Sequence, residues 1–251
     1  MAQKGLPRID LGALRGPHGL VFVAGKLWFT AEGAKVVGRY DPASNQIDLV
    51  IGTGQNRTHM IHVSHDAKRI VTSNVSSASV TIIDPAPGGR GGGAGQENWD
   101  ATVVPVGRGA EGFDVSPDGR EIWVANAQDG TISIVDAAAR KVVDTLQANV
   151  AGANRLKFTP DGKLVLVSSL RQPDVTILDA AARKERKRVP VGKGAAGLEM
   201  QPDGARAYVA CTPDNYVAVI DLKSLEVVGK IDAGRQPDGL AWALRTHQMQ
   251  P

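Results

Sequence analysis

The chain is poor in cysteine and has no long apolar runs. Cys211 is its only cysteine, which excludes an internal disulfide and any cluster of cysteine ligands around a metal ion. No apolar stretch approaches the roughly 18 residues that a transmembrane helix needs, and residues 1–12 lack the apolar core of a signal peptide. The sequence as written therefore predicts a cytoplasmic protein with no membrane partner.

An excess of one charge is also missing. The 29 Lys and Arg residues nearly balance the 26 Asp and Glu residues, and only four Trp, three Tyr and four Phe are present. This composition disfavours nucleic-acid binding, which uses clustered basic side chains and stacked aromatic rings. Glycine and proline are plentiful instead, with 29 and 14 residues, which is typical of many short strands joined by tight turns.

An internal repeat of about 42 residues organises the chain. Three turns have the sequence Pro-Asp-Gly, at residues 117–119, 160–162 and 202–204, and each copy has an aspartate at the end of its third strand. These aspartates are Asp41, Asp84, Asp136, Asp179 and Asp221. We expect them to cap their own turns. The wider gap between the second and third aspartates predicts a Pro/Gly-rich loop insertion at residues 85–100.

Apolar and polar residues alternate within each copy, as in Thr-Ile-Ser-Ile-Val-Asp at 131–136, and this period of two predicts half-buried strands. Four strands per repeat predict an all-β fold, a β-propeller of four-stranded blades. The strings at 122–126 (Ile-Trp-Val-Ala-Asn) and 207–210 (Ala-Tyr-Val-Ala) resemble the YVTN-type β-propeller repeat of many bacterial proteins. The first copy, at 25–30 and 37–42, also resembles the repeat of the streptogramin B lyase group, which are metal-dependent propeller enzymes. The resemblance implies that a longer relative would be periplasmic or secreted.

Five complete repeats leave two pieces of a sixth. Residues 6–12 are predicted to form an outer strand and residues 238–243 an inner strand of one split blade, so the hypothesis is a seven-bladed propeller shortened at its N-terminus. Open strand edges would then favour a homo-oligomer. Residues 1–243 are predicted to form a single propeller domain, and residues 244–251 a C-terminal tail.

In a propeller the first residues of the innermost strands converge on one mouth of the central channel. At this repeat position the chain has His18, His59, Glu111, Asn154, Ala196 and Asp238. All but the alanine are candidate ligands of a divalent metal ion, and the mixture of imidazoles and carboxylates favours zinc, manganese or iron over calcium. The alternative is a polar, hydrated channel without a metal ion.

A set of basic residues precedes these positions in the connecting loops. Its members are Arg15, Arg57, Arg108, Lys193 and Arg235. If they surround the mouth, they are candidate substrate-binding residues for an anionic or strongly polar ligand. The alternative is that they are solvated loop cations.

Two functions follow from these candidates. The first is a metal-dependent hydrolase of the lactonase, arylesterase or phosphotriesterase type, acting on small-molecule esters, lactones or phosphotriesters with Glu111 or Asp238 as the catalytic general base. The second is a non-enzymatic YVTN-type propeller that binds a protein, a peptide or a small anionic ligand.

Overall fold

The computed structural model describes residues 8–86 and 97–242. Its strands are β1 (Pro17–Val23), β2 (Lys26–Ala31), β3 (Val36–Asp41), β4 (Gln46–Gly52), β5 (Thr58–Val63), β6 (Ile70–Asn74), β7 (Ser79–Pro85), β8 (Trp99–Pro105), β9 (Ala110–Val115), β10 (Glu121–Asn126), β11 (Thr131–Asp136), β12 (Lys141–Leu146), β13 (Ala153–Phe158), β14 (Leu164–Ser169), β15 (Asp174–Asp179), β16 (Lys184–Pro190), β17 (Ala195–Met200), β18 (Arg206–Cys211), β19 (Tyr216–Asp221) and β20 (Glu226–Asp232). Two short 3-10 turns, Val75–Ser77 and Thr212–Asp214, complete the secondary structure of this part of the chain. None of its helices is long and apolar enough to cross a membrane.

Consecutive strands form five four-stranded antiparallel sheets, here called blades 1 to 5 from β1–β4 to β17–β20. The predicted all-β propeller fold is thereby confirmed. Turn chemistry agrees with the sequence: Gly119 of a Pro-Asp-Gly turn has a φ of 73°, which glycine adopts without steric cost. The carboxylate of Asp136 accepts hydrogen bonds from the backbone N–H groups of Ala138 and Ala139, as the capping hypothesis predicts.

The first strands of successive blades contact one another, so β1, β5, β9, β13 and β17 are the innermost strands. The apolar core lies between the blades. Trp28 packs with residues of blade 2, and Trp123 meets Phe158 of blade 4 edge to face, with ring centroids 5.6 Å apart. Both indole side chains are almost completely buried. These aromatic residues therefore contribute to the apolar packing between neighbouring blades.

The two pieces expected to form a split blade differ from the prediction. Residues 8–12 and 238–242 contain no strand, while residues 6, 7 and 243 lie outside the described residues. A strand requires a neighbouring strand to pair its backbone groups. The second piece nevertheless lies beside blade 5, where Thr212 Oγ1 donates a hydrogen bond of 2.8 Å to the carbonyl of Pro237.

The expected loop insertion is narrower than residues 85–100, because β7 extends to Pro85 and β8 begins at Trp99. Residues 87–96 of that loop, and the predicted tail at 244–251, lie outside the described residues.

Blade 1 has an uncovered apolar face. Leu20 and Phe22 on β1 are 63% and 64% exposed. Two residues at the corresponding repeat positions of later blades, Phe113 and Phe158, are 6% exposed because each packs against the preceding blade. Blade 1 lacks such a neighbour among the described residues. The homo-oligomer expected from open edges stays a prediction.

Candidate active site at the channel mouth

The inner strands of blades 1 and 2 bring two histidines together. His18 on β1 and His59 on β5 stack their rings, with centroids 3.7 Å apart and planes inclined by 30°. His18 is exposed and His59 is only 2% exposed. The predicted convergence of these two residues is what the structure shows.

A glycine and a hydroxyl group set the spacing of these strands. A Cβ atom on Gly19 would lie 2.6 Å from the carbonyl oxygen of His59, so only glycine permits this approach. The Gly19 N–H donates to Thr30 Oγ1, and the Thr30 hydroxyl in turn donates to the His59 carbonyl. Ser73 on β6 donates to the carbonyl of Glu111 in the same way. These buried hydroxyl groups fix the backbones of His59 and Glu111 relative to the preceding blade.

The His59 imidazole lies between two carboxylates. Its Nδ1 contacts Glu32 Oε1, and its Nε2 lies 2.7 Å from Glu111 Oε1, although the latter atoms are not aligned for a hydrogen bond. The Arg57 guanidinium approaches both acids, with Nε 3.5 Å from Glu32 Oε1 and Nη2 3.9 Å from Glu111 Oε1. Side chains from three consecutive blades therefore form one charged cluster.

The electrostatic environment favours a neutral His18 and an ionised Glu111. Partial desolvation by the surrounding protein and the adjacent His59 lower the pKa of His18 below its usual 6.5. Burial alone would raise the pKa of Glu111, but the contact with His59 and the positive charges of Arg57 and Arg155 lower it below its usual value. At neutral pH, His18 can thus act as a metal ligand and Glu111 as a proton acceptor.

His18, Glu32 and His59 are suited to a divalent metal ion. Each offers one ligand atom, and these atoms all lie within 4.8 Å of one another. Two imidazole nitrogens and one carboxylate oxygen form a donor set that zinc, iron and manganese accept in proteins. The residues present therefore fit the metal class that the sequence predicts, with Glu32 as a candidate ligand that the repeat position of the inner strands does not include.

Glu32 follows β2, whereas the ligands predicted from the sequence all lie at the starts of inner strands. A signal was nevertheless present in the repeat. The residues that correspond to Glu32 in the other blades are Val75, Ala127, Leu170 and Thr212, none of which is charged. A carboxylate at this one copy of the position marks a departure from the repeat.

The other predicted ligands take different positions. Glu111 contacts His59 but does not belong to the group of three ligand atoms. Asn154 is buried on β13 of blade 4, and Asp238 is exposed in the segment beside blade 5. The assignment of Asn154 and Asp238 as metal ligands stays a prediction.

Only one predicted basic residue contacts the cluster, namely Arg57. The Arg108 guanidinium instead forms an ion pair of 2.7 Å with Asp129 in its own blade. Arg15, Lys193 and Arg235 are exposed, and within the described residues they form no ion pair. Their role in substrate binding stays a prediction.

Arg155 is a further charged residue at the mouth that the sequence analysis missed. It follows Asn154 on β13, and its Nη1 donates a hydrogen bond of 3.2 Å to the Asn154 carbonyl. Burial lowers the pKa of Arg155, against the opposing effect of the negative charges of Asp238 and Glu111. Arg155 thus lies within the electrostatic range of the cluster.

A second set of ionisable residues lies further along the inner strands. Asp114 on β9 lies 3.9 Å from the Lys157 ammonium on β13. Burial lowers the pKa of His62 on β5. Burial raises the pKa of Glu199 on β17, against the attraction of Lys157 and with a small contribution from the charge of Asp114. This set is separate from the histidine–carboxylate cluster at the mouth.

Comparison with known proteins agrees with the fold. The family described as YNCE-like beta-propeller matches residues 92–202. A solved structure of streptogramin B lyase is 16% identical, with a TM-score of 0.73, and the alignment covers 89% of this chain and 71% of that chain. The hydrazine synthase of Kuenenia stuttgartiensis is 14% identical, with a TM-score of 0.61 and coverage of 94% and 92%. None of the curated proteins matches the chain. At these identities, the structural similarities establish the fold alone.

Proposed function

We propose that this β-propeller is a metal-dependent hydrolase whose active site is the channel mouth. The observation that supports this proposal is the convergence of His18, Glu32 and His59, whose ligand atoms lie within 4.8 Å of one another. When bound, a divalent ion supplies polarisation of a carbonyl or phosphoryl oxygen and acidifies water. Structural neighbours that include enzymes are consistent with this proposal.

The chain's own residues then have separate tasks. Glu111 is ionised and adjoins the ligand His59, so we assign it as the general base that accepts a proton from the attacking water. Arg57 contacts both Glu32 and Glu111 and holds their carboxylates toward the cluster. Asp238 remains the second candidate for the base. Thr30 and Ser73 are positioning residues, because they fix the backbone of His59 and Glu111.

The substrates proposed are esters, lactones or phosphotriesters. His18 is exposed, so the cluster opens toward solvent and accepts a small molecule from outside. All three substrate types have a polarisable oxygen and are cleaved by an activated water molecule, which is the chemistry that this donor set supports.

A non-enzymatic binding propeller is the second candidate. The observation in its favour is that both nitrogens of His59 already face carboxylates, so the cluster forms a compact set of charges without a metal ion. A protein, a peptide or a small anion would then bind at the mouth through the same residues.

Elemental analysis of purified protein tests the proposal. We expect near-stoichiometric zinc, manganese or iron in the parent protein and its loss in His59→Ala and Glu32→Gln. His65→Ala is the matched control, because His65 is exposed in the turn after β5 and should leave the metal content unchanged. Hydrolysis of ester, lactone and phosphotriester substrates is then measured for the same four proteins.

Three outcomes separate the candidates. Metal and activity that disappear together in His59→Ala and Glu32→Gln support the hydrolase. Equal metal content in all four proteins contradicts the assigned ligands. If the parent binds none of the three metals even when they are supplied, the binding propeller replaces the hydrolase.

A further inference from the structure

Arg155 is a partly buried arginine for which the described residues provide no ion-pair partner. No carboxylate oxygen in the described part of the chain lies within 4.0 Å of its guanidinium. Its one side-chain hydrogen bond among these residues goes to the backbone carbonyl of Asn154, which holds the guanidinium at the level of the metal-ligand positions. Most of the N–H groups of this fork-shaped donor are therefore available to a ligand.

Other partly buried arginines of this protein form ion pairs with carboxylates. Arg39, Arg140, Arg183 and Arg188 each bind at least one carboxylate at 3.0 Å or less. Since a buried charge is costly unless it is paired, the lack of a carboxylate contact at Arg155 is informative. It indicates that the partner of this guanidinium comes from outside the described chain.

Arg155 occupies a position that is glycine in three other inner strands. The corresponding residues of β1, β9 and β17 are glycines, namely Gly19, Gly112 and Gly197, whose backbones lie against the next strand or segment. Blade 4 has a long basic side chain there instead. Its charge acts on His18, and the charges of Glu111 and Asp238 act on it, so Arg155 shares one electrostatic environment with the cluster.

We propose that Arg155 is the binding site for an anionic group of the substrate, a carboxylate or a phosphate, next to the bond that is cleaved. A guanidinium pairs such groups through two parallel hydrogen bonds, which gives orientation as well as affinity. The substrate class of the mouth is then an ester or lactone that bears a negative charge, in preference to a neutral one.

The inference rests on the proposed function in one respect, namely the charge of the metal ion. Without a metal ion, the mouth has more carboxylates than guanidinium groups: Glu32, Glu111 and Asp238 against Arg57 and Arg155. A divalent ion bound by His18, Glu32 and His59 reverses this balance and makes the mouth positive. Anion affinity and metal affinity should therefore rise together, because coupling between two binding events is reciprocal.

Calorimetric titration with inorganic phosphate and, separately, with acetate tests the proposal. Both probes are titrated at low ionic strength into metal-loaded and metal-free protein. We expect Arg155→Gln to weaken binding of the preferred anion about tenfold, which corresponds to the loss of one charge-assisted pair. Arg155→Lys should weaken it less, because lysine keeps the charge but lacks the planar fork. The stronger of the two probes identifies the anionic group as phosphate or carboxylate.

Arg120→Gln is the matched control, because it removes the same charge from an exposed turn at the opposite end of the inner strands. Its anion affinity should equal that of the parent. If Arg155→Gln and Arg120→Gln weaken binding equally, or if neither does, the assigned anion site is wrong. Thermal melting verifies that each variant folds, and if Arg155→Gln does not fold, the comparison of Arg155→Lys with the parent decides the question.

Elemental analysis of the same samples separates this inference from the proposed function. If metal is bound but anion affinity does not depend on Arg155, the anion-site inference is wrong and the proposed hydrolase function is retained. Anion binding that depends on Arg155 in a protein that takes up no metal overturns the hydrolase and leaves the anion site standing. If the protein takes up no metal and anion binding does not depend on Arg155, both proposals are wrong.

Discussion

Replacing Gly19 by alanine tests whether close contact between inner strands builds the site. The added Cβ atom would lie 2.6 Å from the carbonyl oxygen of His59, 3.0 Å from the backbone nitrogen of Ile61 and 3.1 Å from Cα of Met60. All three are backbone atoms, so no side-chain rotation relieves the overlap. Strands β1 and β5 must move apart, and His18 and His59 move apart with them.

Two unfavourable contributions determine how much Gly19→Ala lowers the free energy of unfolding. Inserting a methyl group into a closely packed interface costs about 1–3 kcal/mol. Weakening the buried hydrogen bond from Thr30 to the His59 carbonyl costs about 1 kcal/mol more. The new alanine also restricts the unfolded chain, which offsets about 0.4–1 kcal/mol of the total.

Gly52→Ala in the same blade is the control. Nothing lies within 4 Å of a Cβ atom built there, and Gly52 does not have a positive φ. This variant has the same effect on the unfolded chain without the steric cost. The free energy of unfolding should therefore differ by about 2–4 kcal/mol between the two variants.

Urea denaturation followed by tryptophan fluorescence measures this difference, because Trp28 and Trp99 report on the interface between blades 1 and 2. Elemental analysis of Gly19→Ala should also show reduced metal content. A Gly19→Ala protein as stable as Gly52→Ala would refute the inference that this contact sets the spacing of the two histidines.

Three further predictions concern stability. Because burial raises the pKa of Glu199 above its usual 4.5, the folded chain loses stability as the pH rises past 4.5. Glu199→Gln should therefore have the same melting temperature as the parent near pH 4 and a higher one at pH 7. A difference in melting temperature that does not change with pH would contradict this expectation. Trp123→Ala should lower the free energy of unfolding by about 3–5 kcal/mol in urea denaturation, and a loss under about 1 kcal/mol would mean that the side chain is exposed. Thr30→Val keeps the shape but removes the bridge between Gly19 and His59, so it should cost about 1–3 kcal/mol by the same assay, whereas an unchanged midpoint would show that the bridge is not formed.

The fold could be predicted because every blade repeats the same local signals. Alternation of apolar residues, Pro-Asp-Gly turns and a terminal aspartate such as Asp136 are each visible within a few residues of sequence. Residues 238–242 show the limit of this reasoning. Their apolar pattern is that of an inner strand, but a strand also depends on neighbouring strands, which local sequence does not reveal.

The site could be predicted in part, because repeat position specifies direction toward the mouth. His18, His59 and Glu111 start successive inner strands, and their predicted proximity is present in the structure. Glu32 and Arg155 were missed because they occupy other positions of the repeat and reach the mouth through tertiary packing. The sequence also did not predict the ion pair of Arg108, since its partner Asp129 belongs to a different loop.

The uncovered face of blade 1 has a consequence for the dynamics of the site. In arrays of repeats each unit is stabilised by its neighbours, so a unit with a neighbour on only one side opens first. Blade 1 exposes Leu20 and Phe22, and it also supplies His18 and Glu32. Fraying of this blade would dismantle the cluster before the remaining blades unfold. Binding of a metal ion at the mouth should therefore suppress amide hydrogen exchange in β1 and β2 far more than in blades 4 and 5. A ligand at the mouth would then stabilise the blade that opens most readily.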